Sequence, residues 1–200
     1  YLAKICENKQ VLHLGATDSP FTKKASEAGQ LLHMHLDRVA KKIVGMDLDQ
    51  SMISFLSKNY GINNIEYGNI ENLNDYPSEN FDVIIAGEIF EHLSSPGKAL
   101  DCIRTISMDS TRLVVTVPNA YAVKGFLRAW LKQELIHPDH VLHHSPHTLQ
   151  CLLERHGFQC EKFFSYVNGG KGMLASLMNS FISNNAQLAE GIGVVCKLCT

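Results

Sequence analysis

This sequence is short of several things, and each shortage excludes a class of protein. No apolar run comes near the ~18 residues that a membrane-spanning helix needs, so no membrane span is expected. There is no surplus of positive charge: 18 Lys and Arg stand against 20 Asp and Glu, a formal net charge of -2. Affinity for nucleic acid comes largely from neutralised phosphates, so no nucleic-acid partner is expected. The basic residues near Lys23, Lys24, Arg38, Lys41 and Lys42 read as solvated helix faces. Paired cysteine motifs are scarce as well. The cysteines at 6, 102, 151, 160, 196 and 199 are scattered, and the one CxxC, Cys196 and Cys199, lacks the second pair of a structural zinc site. Reduced thiols, a cytoplasmic location and no metal are the expectations. The glycine set GxGxxG of a dinucleotide-binding turn is missing too, which sets aside a nicotinamide-dependent oxidoreductase.

What is present suits one α/β domain over residues 1–200. The chain has 200 residues and 45% hydrophobic content, enough for one well-filled core. Short apolar runs at 11–14, 43–46, 65–67, 83–86 and 113–117 alternate with longer stretches of helical period. That rhythm predicts a mostly parallel, doubly wound sheet with helices on both faces. Ala25, Ala28, Leu32, Leu36 and Val39 recur at helical spacing between the first two runs. Asp49 can cap a helix that Gly61 ends, and Ser95-Pro96 and Ser145-Pro146 each read as a cap followed by a first-turn proline. After the fifth run the pattern changes. Residues 121–147 form a connector with a helix at its start and five histidines within 137–147. Strands are expected at 158–167 and 193–198. Between them, residues 168–190 make an insertion whose apolar stretch 173–182 offers a lid over an acceptor, a homodimer contact or plain core packing.

In such sheets ligands lie beyond the carboxyl ends of the strands. The residues there are Gly15-Ala16-Thr17, Asp47-Leu48-Asp49, Gly68-Asn69-Ile70 and Gly87-Glu88. Asp47 closes the second strand, where a carboxylate can accept both hydroxyls of a ribose. A strand-end turn acid is the plainer reading, but Asp49 is the better cap and leaves Asp47 for a ligand.

Taken together, VLHLG, IVGMDLDQSMI, IEYGNIENL, FDVIIAGEIFEHLSSPGKAL and RLVVTVPNAY resemble the class I S-adenosylmethionine-dependent methyltransferases, in the group with Glu-His-Leu after the fourth strand. The resemblance covers nearly the whole chain, in order. It implies a seven-stranded Rossmann-like sheet whose last strand runs antiparallel between the fifth and sixth. It implies S-adenosyl-L-methionine as cofactor, with Gly15 beside the methionine part and Ala16 and Thr17 in the turn. Asp47 would take the ribose, Leu48, Asn69 and Ile70 the adenine, and Gly87 and Glu88 the amino-acid moiety. The sequence departs from the family at His13, Thr17 and Asn69, where an acid, a glycine and often an aspartate are usual. S-adenosylmethionine carries no phosphate, so a turn without a glycine nest suits it, and the hydroxyls of Thr17 and Ser19 could bond its carboxylate or amine. An Asp/Asn-Pro-Pro-aromatic tetrad, usual in DNA amino-methyltransferases, is replaced by Gly87-Glu88-Ile89-Phe90.

The implied reaction is methyl transfer to oxygen, less readily nitrogen, of a small-molecule, sugar or lipid-linked acceptor. A hydroxyl acceptor needs its proton removed, and histidine suits that task near neutral pH. His140, beside Asp139 in the connector, is the expected catalytic base, while His92 reads as structural or cofactor-side. The remaining connector histidines read as groups that titrate rather than as a metal site. A non-catalytic binding or regulatory module on the same fold is the alternative.

Overall fold

The computed structural model describes residues 1–73, 80–133, 137, 139–167 and 186–199. The stretch 173–182, with its expected lid or homodimer contact, lies outside the described residues.

The apolar runs form one sheet: β1 (Gln10–Leu14), β2 (Lys42–Asp47), β3 (Ile65–Tyr67), β4 (Val83–Gly87), β5 (Arg112–Pro118), β6 (Phe158–Tyr166) and β7 (Gly191–Leu198). Their order is β3-β2-β1-β4-β5-β7-β6. β7 pairs antiparallel with both β5 and β6, and the other pairs are parallel. This is the expected Rossmann-like sheet. Its inner strands are largely apolar because both faces are covered, whereas the edge strands β3 and β6 carry exposed polar residues. Leu12 and Leu14 of β1 face one side, against a core with Leu100, Ile103, Leu149 and Leu153. Val11 faces the other, with Leu36 and Cys6.

The helices are α1 (Leu2–Cys6), α2 (Thr22–Glu27), α3 (Leu32–Asp37), α4 (Gln50–Tyr60), α5 (Pro96–Thr105), α6 (Val123–Trp130) and α7 (Pro146–Arg155). Asp49 caps α4 as expected, its Oδ1 accepting from the Ser51 and Met52 amides at 3.1 Å each. Ser145 caps α7 in a capping box with Thr148. The helical stretch expected between β1 and β2 is instead broken into α2 and α3. Gly29 adopts a φ of +64° there and the Gln30 amide turns back to the Ala25 carbonyl at 2.7 Å, closing α2. Ser95 makes no side-chain cap for α5, although Pro96 does begin it.

Two strand glycines shape the far edge. A side chain at Gly191 or Gly193 would occupy the space of the Tyr166 or Phe164 ring. Tyr166 can therefore lie across β7 and reach the carboxyl end of β4.

His13, where an acid is usual in the family, is buried in β1 and pairs with His33 of α3. The Nδ1 atoms lie 3.2 Å apart, and His33 Nε2 is 3.2 Å from Asn64 Oδ1. One tautomer set satisfies both contacts: His33 donates to Asn64 and accepts from His13. Burial first, then His33, holds the His13 imidazole down to about 3. An unfolded histidine titrates near 6.5, so the unfolded chain binds more protons below that value. His13 thus contributes stability that is full above pH 6.5 and lost as pH falls toward 3. We expect unfolding free energy from urea titrations to fall from pH 6.5 to pH 5 by up to about 1.4 kcal/mol per pH unit from this group. His13→Asn should remove that slope.

Candidate active site

The strand order reverses between β1 and β4, and a cavity of about 660 Å³ opens beyond their carboxyl ends. Gly15 ends β1 with a φ of +73°, a conformation that glycine adopts without strain, and a Cβ there would approach Ile89 Cδ1 at 3.2 Å. Asp47 ends β2 and grips both sides of the cleft floor. Its Oδ2 accepts the Thr17 amide at 2.8 Å and its Oδ1 the Asp49 amide at 3.0 Å. Each oxygen keeps acceptor capacity for a ligand.

Of the expected cofactor residues, Gly15, Asp47, Leu48, Ile70, Gly87 and Glu88 line this cavity. Leu48 is 53% exposed, an apolar side chain presented at the rim. Ala16, Thr17 and Asn69 do not line it. Ala16 is buried with Leu31, Ile53 and Leu56. Thr17 is wholly buried, its hydroxyl without a hydrogen-bond partner among the described residues, so that hydroxyl is turned away from the cavity. Ser19 donates to Asp49 at 2.8 Å. Asn69 Oδ1 accepts the Glu71 amide at 2.9 Å, which fixes the turn after β3. The Ser19 hydroxyl, which does line the cavity, and the Asn69 oxygen are thus engaged in turns, while the Thr17 hydroxyl bonds to none of the described residues.

The charge of the cavity is one-sided. Asp18, Asp47, Glu71, Glu88, Glu91 and Asp139 line it, and no Lys or Arg does among the described residues. Burial, and then the Asp47 charge, pushes Asp18 up from the usual carboxylate range. Glu88 opens toward the cavity but is surrounded by protein, and burial pushes its carboxyl up despite a hydrogen bond from the Tyr166 hydroxyl. Such a site repels a polyphosphate and attracts a cation.

A short 3-10 helix, Phe90–His92, follows β4. The connector docks on it through main-chain hydrogen bonds: the Val141 and Leu142 amides donate to the Glu91 carbonyl at 2.9 and 3.2 Å. This brings His92 to His140, with ring centroids 4.6 Å apart, and to His137 at 5.5 Å. Asp139 adds a carbonyl 3.2 Å from His92 Nδ1. Glu91 is 1% exposed, and its carboxylate oxygens have no hydrogen-bond partner among the described residues. Burial, and then the Glu88 charge, pushes it up to about 8. Burial, followed by His92, His137 and His143, lowers His140.

A second cavity of about 1280 Å³ lies on the other side of these histidines, under α6. Pro118, Tyr121, Phe126, His143 and Tyr166 are among the residues that line it, and it shares Glu88, His137 and His140 with the first. Glu91 and Tyr166 were not singled out for this site from sequence. A signal existed for Glu91, an acid beside His92 just after the fourth strand. None existed for Tyr166, which depends on the cross-strand glycine at 191.

The methyltransferase-domain family matches residues 2–162. Among curated proteins nothing matches. Among solved structures, a SAM-dependent methyltransferase from Archaeoglobus fulgidus superposes with a TM-score of 0.62 at 20% identity, covering 98% of this chain and 89% of the other. One from Aquifex aeolicus gives 0.61 at 16% identity, with coverages of 98% and 86%. One from Mesorhizobium loti gives 0.60 at 14%, with 96% and 92%. At these identities the likeness is one of fold.

The turn at Gly15 makes a direct prediction. Gly15→Ala forces a side chain into a left-handed backbone and against Ile89, so it should cost about 1–2 kcal/mol of stability, read as a lower urea midpoint at unchanged slope.

Proposed function

We propose, for a chain that belongs to the methyltransferase-domain family, that it transfers a methyl group from S-adenosylmethionine to an oxygen of a small hydroxylated acceptor, whether free, sugar-borne or lipid-linked. The observation that carries this reading is the junction of two cavities at Glu88, His137 and His140. A donor in one cavity and an acceptor in the other would meet there.

The inner cavity fits the donor chemically. S-adenosylmethionine brings a sulfonium and an ammonium, and the lining supplies carboxylates with no opposing Lys or Arg among the described residues. Asp47 retains acceptor positions for the ribose hydroxyls, and Leu48 and Ile70 give apolar walls for the adenine. Gly15 and Gly87 leave the backbone bare beside the methionine part, and Glu88 suits its ammonium. Bound in this way, the cofactor would supply a methyl on an electron-poor sulfur. The protein's remaining task is alignment, since reactants held about 3–3.5 Å apart gain much of the rate from position alone.

His140 activates the acceptor's hydroxyl in this reading. It borders both cavities, and its Nε2 stands 3.9 Å from the Glu91 carboxylate. An amine acceptor is less favoured, because it needs no such group once deprotonated. Six free cysteines support a reducing compartment such as the cytoplasm, and no helix among the described residues is long and apolar enough to cross a membrane. One observation favours the alternative, a binding module without transfer: the Thr17 hydroxyl and the Asn69 oxygen are withheld from the cavity.

Calorimetry with S-adenosylmethionine and S-adenosylhomocysteine tests the premise; folded protein that binds neither ends the enzyme reading. Asp47→Ala should weaken S-adenosylmethionine binding by about 1.5–3 kcal/mol, the worth of hydrogen bonds to a charged group. Asp47→Asn, which keeps an acceptor oxygen, should lose less. His140→Gln should leave cofactor affinity within about twofold while slowing methyl transfer by about 10²–10⁴-fold; equal loss of both would return His140 to a structural role.

A further inference from the structure

We propose that His92, His137 and His140 form a binding site for one divalent transition-metal ion, zinc or a similar borderline cation, at the seam between the two cavities. The site itself follows from the histidine geometry; its role in activating an acceptor rests on the methyltransferase reading.

Three imidazoles from two separate segments converge here, each offering one ring nitrogen, and these nitrogens all lie within 4.8 Å of one another. An ion held at about 2.0–2.1 Å from each would bring a tetrahedral set of nitrogens to roughly 3.4 Å apart. Side-chain rotations in the connector can supply that closure.

His92 is oriented as a metal ligand. Its Nδ1 lies 3.2 Å from the Asp139 carbonyl, an acceptor only, so Nδ1 carries the proton and the Nε2 lone pair is left open. A ligating histidine characteristically spends its other nitrogen on a carbonyl or carboxylate in this way. The connector is held against the 3-10 helix by the main-chain bonds of Val141 and Leu142 to Glu91, so the arrangement does not depend on the side chains alone.

Glu91 supplies an independent sign. Its carboxylate is buried without a hydrogen-bond partner among the described residues, and Oε1 lies 3.9 Å from His140 Nε2. Buried carboxylates are normally paired or close to a metal. A dication on the neighbouring imidazoles provides the missing positive charge. Neutral nitrogen ligands select zinc, cobalt, nickel or iron over magnesium, which prefers oxygen.

With three protein ligands the ion keeps an open position. His137 and His140 border both cavities, so that position is accessible to an acceptor oxygen. A hydroxyl on a dication gives up its proton to solvent water far more readily than it would unbound; a ligating His140 would then hold the acceptor through the ion and would not itself take the proton.

The test uses the full chain, stripped with chelator, desalted and titrated with cobalt(II) alone. One equivalent should bind, with the visible absorption of a four- or five-coordinate site, and zinc should displace it. His92→Ala and His137→Ala should each weaken cobalt binding by more than about tenfold, while His35→Ala, on the exposed face of α3, should not change it. Circular dichroism checks that each variant is folded. No stoichiometric binding by folded protein, or binding unchanged in both His92→Ala and His137→Ala, overturns the proposal. S-adenosylmethionine calorimetry on the stripped protein separates the two readings: cofactor binding without cobalt binding defeats the metal site alone, and cobalt binding without cofactor binding defeats the methyltransferase reading alone.

Discussion

The carboxylate of Asp47 is the constraint on which the cleft depends. Two parallel strands end side by side, and each chain must turn away without leaving its main-chain donors buried and unpaired. Asp47 meets both demands at once, taking the Thr17 amide from the turn after β1 and the Asp49 amide from the turn after β2. The positive φ at Gly15 then lets the first turn pass beneath the cavity, and Asp49 is free to cap α4. The acid expected to serve a ligand thus serves the turns first. Its structural bonds set the direction of the lone pairs that remain, which the proposed reading gives to a ribose.

That double use explains what could and could not be read from the residues. The sheet is legible because parallel strands covered on both faces must be largely apolar runs, as β1, β2, β4 and β5 are. The end of β7 and the glycines at 191 and 193 were harder, since those positions are set by the Tyr166 and Phe164 rings of the neighbouring strand rather than by local pattern. The break between α2 and α3 was missed because Ala25, Leu32 and Leu36 keep helical spacing across it; only the left-handed Gly29 shows that the helix stops. At the site, strand ends identified Gly15, Asp47, Ile70, Gly87 and Glu88. Strand-end position does not say which atoms the turns engage: the Asn69 oxygen and the Ser19 hydroxyl each make a turn bond, and Thr17 lies buried.

The histidines show the same limit at longer range. His92 and His140 are far apart in sequence, and nothing in either segment announces the other. They meet because the Glu91 carbonyl accepts two connector amides, a main-chain event with no side-chain signature. The sequence pattern makes His92 an accessory of the floor and His140 the expected base in a separate connector, with no sign that His92, His137 and His140 meet. The fold instead makes the three imidazoles one group placed between the cavities.

The energetics of this corner favour function over stability. Glu88 holds a φ of +51°, unusual for a residue with a side chain, and Glu91 buries a carboxylate without a hydrogen-bond partner among the described residues. Each costs on the order of 1–3 kcal/mol, in a domain whose net stability is about 5–15 kcal/mol. Both costs fall where the inner cavity has carboxylates and no Lys or Arg among the described residues and where the imidazoles gather, and a cation is the kind of ligand that offsets them. The proposed sulfonium cofactor compensates the charge at Glu88, and the proposed metal ion does so at Glu91, which makes the two penalties intelligible as parts of one site.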